Sequence, residues 1–134
     1  MSAADVEVIR ELYDRFNSRD YEGSMAMMHA DIEMRQAREI PGADNWIGRD
    51  AVERGLVDWL SGFERGFQYE MVDLVDCGDR VFADIMLKGT GRGSGLSLEQ
   101  QIFNVWETRD GKASLCLVYF DEREAREAAG LPPA

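Results

Sequence analysis

The sequence predicts an α+β domain in which helices come first and an antiparallel hairpin meander follows. Three observations carry this. Apolar residues in the amino-terminal half recur mainly at helical spacing, whereas from Phe67 onward they fall into short strand-like segments. Those segments are joined by Gly78-Asp79, the Gly89 to Gly95 stretch and Asp110-Gly111. Such links suit hairpins and are shorter than the dozen or more residues a parallel crossover needs. Finally, 134 residues hold one core of useful size, with no repeat or linker to divide it, so residues 1–134 form a single domain.

The elements follow in order. Val6, Ile9, Tyr13 and Phe16 share one helical face, capped at the start by Ser2 or Asp5 and broken by Asn17-Ser18-Arg19-Asp20. A short second helix runs from Tyr21 to Met28, with Met25 and Met28 inward as adaptable fillers. A strand from Ile32 to Ala37 leads into the turn-rich loop Pro41-Gly42-Ala43-Asp44-Asn45. Asp50 caps a third helix, and Glu53 three residues on completes a capping-box pattern. Its apolar stripe is Val52, Leu56, Trp59, Leu60 and Phe63, ending near Gly62 and Gly66. Four strands are expected over Phe67 to Asp76, Val81 to Lys88, Leu96 to Thr108 and Ala113 to Phe120. A last helix spans Glu122 to Ala129 and stops at Gly130, ahead of Pro132-Pro133.

Composition bounds the partners. The formal net charge of −11, from 26 acidic and 15 basic residues, repels phosphate backbones and anionic membrane surfaces. Nucleic acid and membrane are therefore poor partners, while a neutral small molecule meets no such barrier. No apolar stretch nears the ~20 residues of a membrane span, and MSAADVEVIRELYD lacks a basic region followed by an apolar one, so the chain is expected in the cytoplasm. There, Cys77 and Cys116 are expected as free thiols; nothing in their spacing argues for a metal.

The strands carry one further signal. Phe82 and Met86 are apolar although they face away from Val81, Ala83, Ile85 and Leu87, and Leu115 to Phe120 shows the same two-sidedness. A sheet apolar on both faces needs cover on both. With helices for one face only, the other predicts a homodimer; a strongly coiled sheet burying its own outer surface is the alternative.

Several local motifs agree with this element order. Phe16-Asn17-Ser18-Arg19-Asp20-Tyr21, Gly48-Arg49-Asp50-Ala51-Val52, Thr108-Arg109-Asp110-Gly111-Lys112 and Val118-Tyr119-Phe120-Asp121 followed by Arg123-Glu124 resemble the SnoaL-like branch of the nuclear transport factor 2 superfamily. The resemblance implies a cone-shaped curved antiparallel sheet packed on three to four helices, a cystatin-like α+β barrel with a pocket between the concave face and the helices, and commonly a dimer. It specifies no single activity, because one fold hosts many sites.

Set beside the ketosteroid isomerases, the chain has Gln36 at the position of the base, Leu12 at that of the tyrosine with Tyr13 beside it but turned away, and Asn104 at that of the acid. An amide takes no proton from carbon. The nearest local resemblance is to limonene epoxide hydrolase, whose mechanism needs two aspartates bridged by an arginine, with a tyrosine and an asparagine helping to hold the attacking water. Asp84 falls on one aspartate, but Val118, Phe82 and Met34 replace the other aspartate, the arginine and the tyrosine, and Gln36 stands for the asparagine. The catalytic candidate is thus Asp84, a mid-strand carboxylate either raised in pKa as a single acid/base or satisfied by hydrogen bonds or solvent. Its companions are Gln36, Gln100 and Asn104 as polar anchors, with Tyr13, Met34, Trp46, Trp59, Phe63, Phe82, Met86, Ile102 and Val118 as pocket walls.

His29, the sole histidine, is read as a cap at the end of the second helix, and Arg35 and Arg38 as rim ion pairs. The glycines from Gly89 to Gly95 form a hairpin tip rather than a phosphate loop. The leading functional expectation is binding or cofactor-free transformation of a small, largely apolar polyketide, terpenoid or steroid-like molecule. The alternatives are a binding module without catalysis and an interaction protein.

Overall fold

The computed structural model describes residues 3–40 and 45–133; Ser2, a candidate cap, and Pro41-Gly42-Ala43-Asp44 of the expected loop lie outside them. The elements are α1 (Ala3–Asn17), α2 (Tyr21–Ala26), β1 (Met28–Arg35), β2 (Trp46–Ile47), α3 (Arg49–Ser61), β3 (Phe63–Asp76), β4 (Val81–Gly91), β5 (Ser97–Arg109), β6 (Lys112–Tyr119) and α4 (Glu122–Ala129). One six-stranded sheet has the order β2-β1-β6-β5-β4-β3. Its pairs are antiparallel except β1 with β6. It is curved but unclosed, so the barrel of the expected fold is a half-cone with β2 and β3 as edges. Irregularities at Glu64/Phe67, Met71/Asp73 and Glu107/Thr108 interrupt the ladders, as bulges do where a sheet bends.

α1 lies across the concave face because its stripe of Ile9, Leu12, Tyr13 and Phe16 is buried there. It stops at Asn17, whose side-chain Nδ2 donates to the Tyr69 carbonyl at 2.8 Å while its Oδ1 accepts from the Tyr69 N–H at 2.9 Å. That reciprocal pair ties the helix end to β3. Asp20 caps α2, accepting from the Gly23 N–H at 2.9 Å.

Several boundaries differ from the sequence expectation. α2 ends at Ala26, and β1 starts at Met28 and ends at Arg35, because β1 runs beside β6, where the Ala113 N–H donates to the Met27 carbonyl at 2.9 Å. Trp46 and Ile47 pair with Met34 and Glu33 and add the unforeseen strand β2. Asp50 is not the cap of α3: Gly48, at φ 92°, takes that position without a side-chain bond, so the Asp50–Glu53 capping box does not form. Its N–H donates to the Ile32 carbonyl at 2.7 Å, fixing the helix start to β1. β3 begins at Phe63, ahead of an irregularity where Arg65 and Gly66 both take positive φ, so Phe63 leaves the stripe of α3 for the sheet.

The helices do not all lie on one face. α4 crosses to the convex face, where Ala125 and Ala129 pack with Phe82, Phe103, Val105 and Leu117. Asp121 caps it through the Glu124 N–H at 3.1 Å, and Gly130 ends it in the left-handed conformation. Part of the apolar convex surface thus has a cover within the chain.

Candidate functional site

A cavity of about 210 Å³ opens between the concave face and the helices. Its sheet side comes from alternate residues of β5, namely Gln100, Ile102, Asn104 and Trp106, with Val118 from β6 and Met34 from β1. Leu12, Tyr13 and Phe16 of α1 and Leu56 and Trp59 of α3 close the helical side, and Trp46 adds a wall from β2. All three tryptophans of the chain therefore line the cavity.

The buried centre is a hydrogen-bonded trio. Asn104 Nδ2 donates to Tyr13 Oη at 2.7 Å and Trp106 Nε1 donates to the same oxygen at 2.9 Å. Tyr69 and Trp106 both meet the Tyr13 ring edge-to-face, with centroids 5.5 and 5.7 Å away. Having accepted twice, the Tyr13 hydroxyl keeps its hydrogen for a further acceptor. Two lining amides each carry a buried atom without a partner among the described residues: Asn104 Oδ1, on a residue 5% exposed, and Gln36 Nε2.

No carboxylate, histidine, lysine, arginine or cysteine is among the lining residues described. The titratable groups at this centre are held in their neutral forms. Burial, reinforced by Cys116, pushes the Tyr13 phenol well above its ordinary range; its hydrogen bonds from Asn104 and Trp106 act the other way. Burial raises Tyr69 and the Cys116 thiol as well. The folded chain therefore holds these protons when the unfolded chain, at its ordinary values of 9.0 for the thiol and 10.0 for the phenols, has begun to release them. The stability they contribute is complete below those values and is lost as the pH climbs toward the raised folded ones. Urea midpoints should hold steady to about pH 8.5 and then fall, more steeply past about pH 10, with Cys116→Ala removing the earliest part of the fall. A midpoint flat to about pH 11 would contradict this arrangement.

Tyr13, Met34, Gln36, Trp46, Trp59, Gln100, Ile102, Asn104 and Val118 line the cavity together. Tyr13 is not turned away: adjacent helical residues lie about 100° apart, and α1 buries both Leu12 and Tyr13 within its stripe. Four expected residues lie elsewhere. Asp84, Phe82 and Met86 share one strand parity, and Val81, Ala83, Ile85 and Leu87 occupy the inward one. Phe82 therefore stacks on Phe103 at 6.0 Å on the convex face, with the Arg126 guanidinium 5.3 Å from its ring. Met86 stands between Glu70 and Gln101, and Asp84 accepts from Gln101 Nε2 at 2.8 Å. Asp84 therefore lies outside the cavity, held by a hydrogen bond from a neighbouring strand. Phe63 packs on Phe67 at 5.2 Å, outside the lining.

Outside the cavity, His29 sits on β1 rather than at a helix end, its Nδ1 2.9 Å from Arg109 Nη2. Arg35 pairs with Glu33 and Arg38 with Glu124. Tyr69 and Phe16 are lining residues that a search for catalytic sets overlooks, while Trp106 shares the strand parity of Gln100 and Asn104.

The chain matches the SnoaL-like domain family over residues 9–115. No curated protein sequence matches it. Among solved structures it is similar to TerC co-crystallised with polyporic acid, at 22% identity and TM-score 0.76, covering 95% of this chain and 98% of that one. It is similar to a protein of Jannaschia sp. CCS1 named as a SnoaL-like polyketide cyclase, at 17% identity and TM-score 0.76, covering 98% and 94%. A Catenulispora acidiphila DSM 44928 protein with a ketosteroid isomerase-like fold, in complex with trimethylamine, is similar at 15% identity and TM-score 0.73, covering 94% of each chain. At these identities the neighbours carry the fold, and the match over most of the chain carries the family: this chain belongs to the SnoaL-like domain family.

Proposed function

We propose that this chain binds a small, neutral, largely apolar molecule in the cone, with one polar end of the ligand against Tyr13 and Asn104. The observation that carries this is the lining: apolar and aromatic walls, a few convergent polar groups and no ionic side chain among the residues described. An ionised ligand there would lose its hydration without gaining a counter-charge. Size narrows the class. A cavity of about 150 Å³ suffices for benzene, so about 210 Å³ suits one substituted ring or a small bicycle better than four fused rings. The SnoaL-like fold and the polyketide-cyclase name among its neighbours support a small-molecule-binding or cyclase-type function. Acid/base chemistry through Asp84 finds no support, because its carboxylate faces Gln101 on the other side of the sheet. Self-association through the uncovered part of the convex face, around the half-buried Met86, is the accompanying oligomeric proposal. A single-chain mass in solution would remove it.

The tryptophans report on occupancy. Titration with neutral 2-acetonaphthone should change their emission and saturate, while the anionic 2-naphthoate and a cationic naphthylmethylammonium bind at least about tenfold more weakly. Asp84→Asn should leave the 2-acetonaphthone affinity within about twofold, as expected for a residue outside the site. Preferential binding of either ion would overturn the reading, as would a ligand-dependent turnover abolished by Asp84→Asn.

A further inference from the structure

Met34 pairs with Cys116 and Arg35 with Leu117, so Gln36, one residue further, lies level with Val118. Val118 in turn pairs with Asn104. Gln36, Val118 and Asn104 thus form a row across the concave face, with the two amides flanking an apolar residue and their backbones about 10 Å apart, two strand spacings. Both amides line the cavity, and each carries a buried atom that no group of the described residues satisfies. Such atoms are costly when unmet.

The chemistry at each end differs. At the Asn104 end, Oδ1 requires a donor, while the neighbouring Tyr13 hydroxyl, already accepting from Asn104 and Trp106, offers a hydrogen. A hydroxyl is a neutral group whose single oxygen both gives and takes a hydrogen bond. At the Gln36 end, Nε2 offers hydrogens and requires an acceptor such as a carbonyl oxygen. Val118 lies between them as a surface for a ring.

Resting on the neutral-ligand reading of the cavity, we infer that Asn104 and Gln36 are the specificity-determining pair: they select a single-ring compound with a hydroxyl at one end and a carbonyl oxygen at the opposite end, its ring lying over Val118.

The test uses four probes with the intact chain, read by calorimetry and saturation-transfer NMR in mildly acidic buffer, where the phenol stays protonated. They are 4-hydroxyacetophenone, acetophenone without the hydroxyl, 4-ethylphenol without the carbonyl, and 4-hydroxybenzoate, whose carboxylate is ionised. The doubly substituted ketone should bind about tenfold tighter than either partial analogue, and the benzoate weakest. In Asn104→Leu the advantage over acetophenone should vanish, and in Gln36→Met the advantage over 4-ethylphenol. Gln36 is half-buried beyond the end of β1, so its variant remains informative should Asn104→Leu fail to fold. Equal affinity of the three neutral probes would overturn the two-ended selection while leaving the neutral-ligand reading intact. A failure of all four to bind, with 2-acetonaphthone also inert, would overturn both.

Discussion

Tyr13→Phe should destabilise the fold by about 2–5 kcal/mol, because it strands two buried donors at once. Asn104 Nδ2 and Trp106 Nε1 both end on the Tyr13 hydroxyl, Tyr13 and Trp106 are only 3% and 2% exposed, and neither donor has a second acceptor among the described residues. A buried polar group left unpaired costs about 1–3 kcal/mol, whereas loss of the exposed hydrogen bonds around Arg10 or Arg15 would cost a fraction of that. The ring itself stays, so little packing with Tyr69 is lost and the penalty isolates the oxygen. Against a whole-domain stability of about 5–15 kcal/mol, such a loss is plain in a urea midpoint. The same variant should weaken 4-hydroxyacetophenone more than acetophenone, since only the former presents a hydroxyl to the missing hydrogen. A change under about 1 kcal/mol would mean that the trio is not the polar centre of the site.

How much of this was legible beforehand depends on where local and tertiary forces agree. α4 could be read to the residue because its signals are local: Asp121 supplies the cap and Gly130 the left-handed stop. The strands β4 to β6 were close for the same reason, with turn residues marking their ends. The start of α3 was misread because Asp50 is a good cap only if the chain before it is free. Here the Gly48 N–H is already committed to Ile32, and the helix begins a residue earlier than Asp50. In β3, the irregularity between Met71 and Asp73 lets Met71 and Leu74 face the same core three residues apart, which strict alternation forbids.

The site shows the same division. Gln100, Ile102 and Asn104 were named for the pocket, and the structure brings them together with Trp106 of the same strand parity. Asp84 was chosen for its chemistry and its likeness to a hydrolase aspartate. The parity that excludes it was present in Val81, Ala83, Ile85 and Leu87, all 4% exposed or less. The convex face was expected to lack cover because a sequence does not say which side a terminal helix will take. α4 settles on Phe82, Val105 and Leu117, so part of the two-sided apolar pattern has an intramolecular cause.

Gly55→Ala should damage ligand binding while leaving the chain folded. Gly55 lies within α3, where exchange for alanine ordinarily stabilises by about 1 kcal/mol. Here the added Cβ would fall 2.4 Å from Cε2 and Cζ2 of Trp46. The ring cannot remain in contact at that distance, and overpacking of this kind costs about 1–3 kcal/mol. Trp46 gives way more easily than the helix: it stands on the two-residue edge strand β2 and is only half-buried. Its movement removes a cavity wall, so affinity for 2-acetonaphthone should fall about tenfold or more, with a shift in tryptophan emission, while the unfolding free energy from urea melts falls by no more than about 2 kcal/mol. The decisive comparison is made in a Trp46→Ala background. With the ring gone, the steric cost disappears and only the helix preference remains, so the same Gly55→Ala exchange should become stabilising by about 1 kcal/mol. If it destabilises there too, Gly55 is required by something other than the tryptophan, and Trp46 is not the element that shapes this wall.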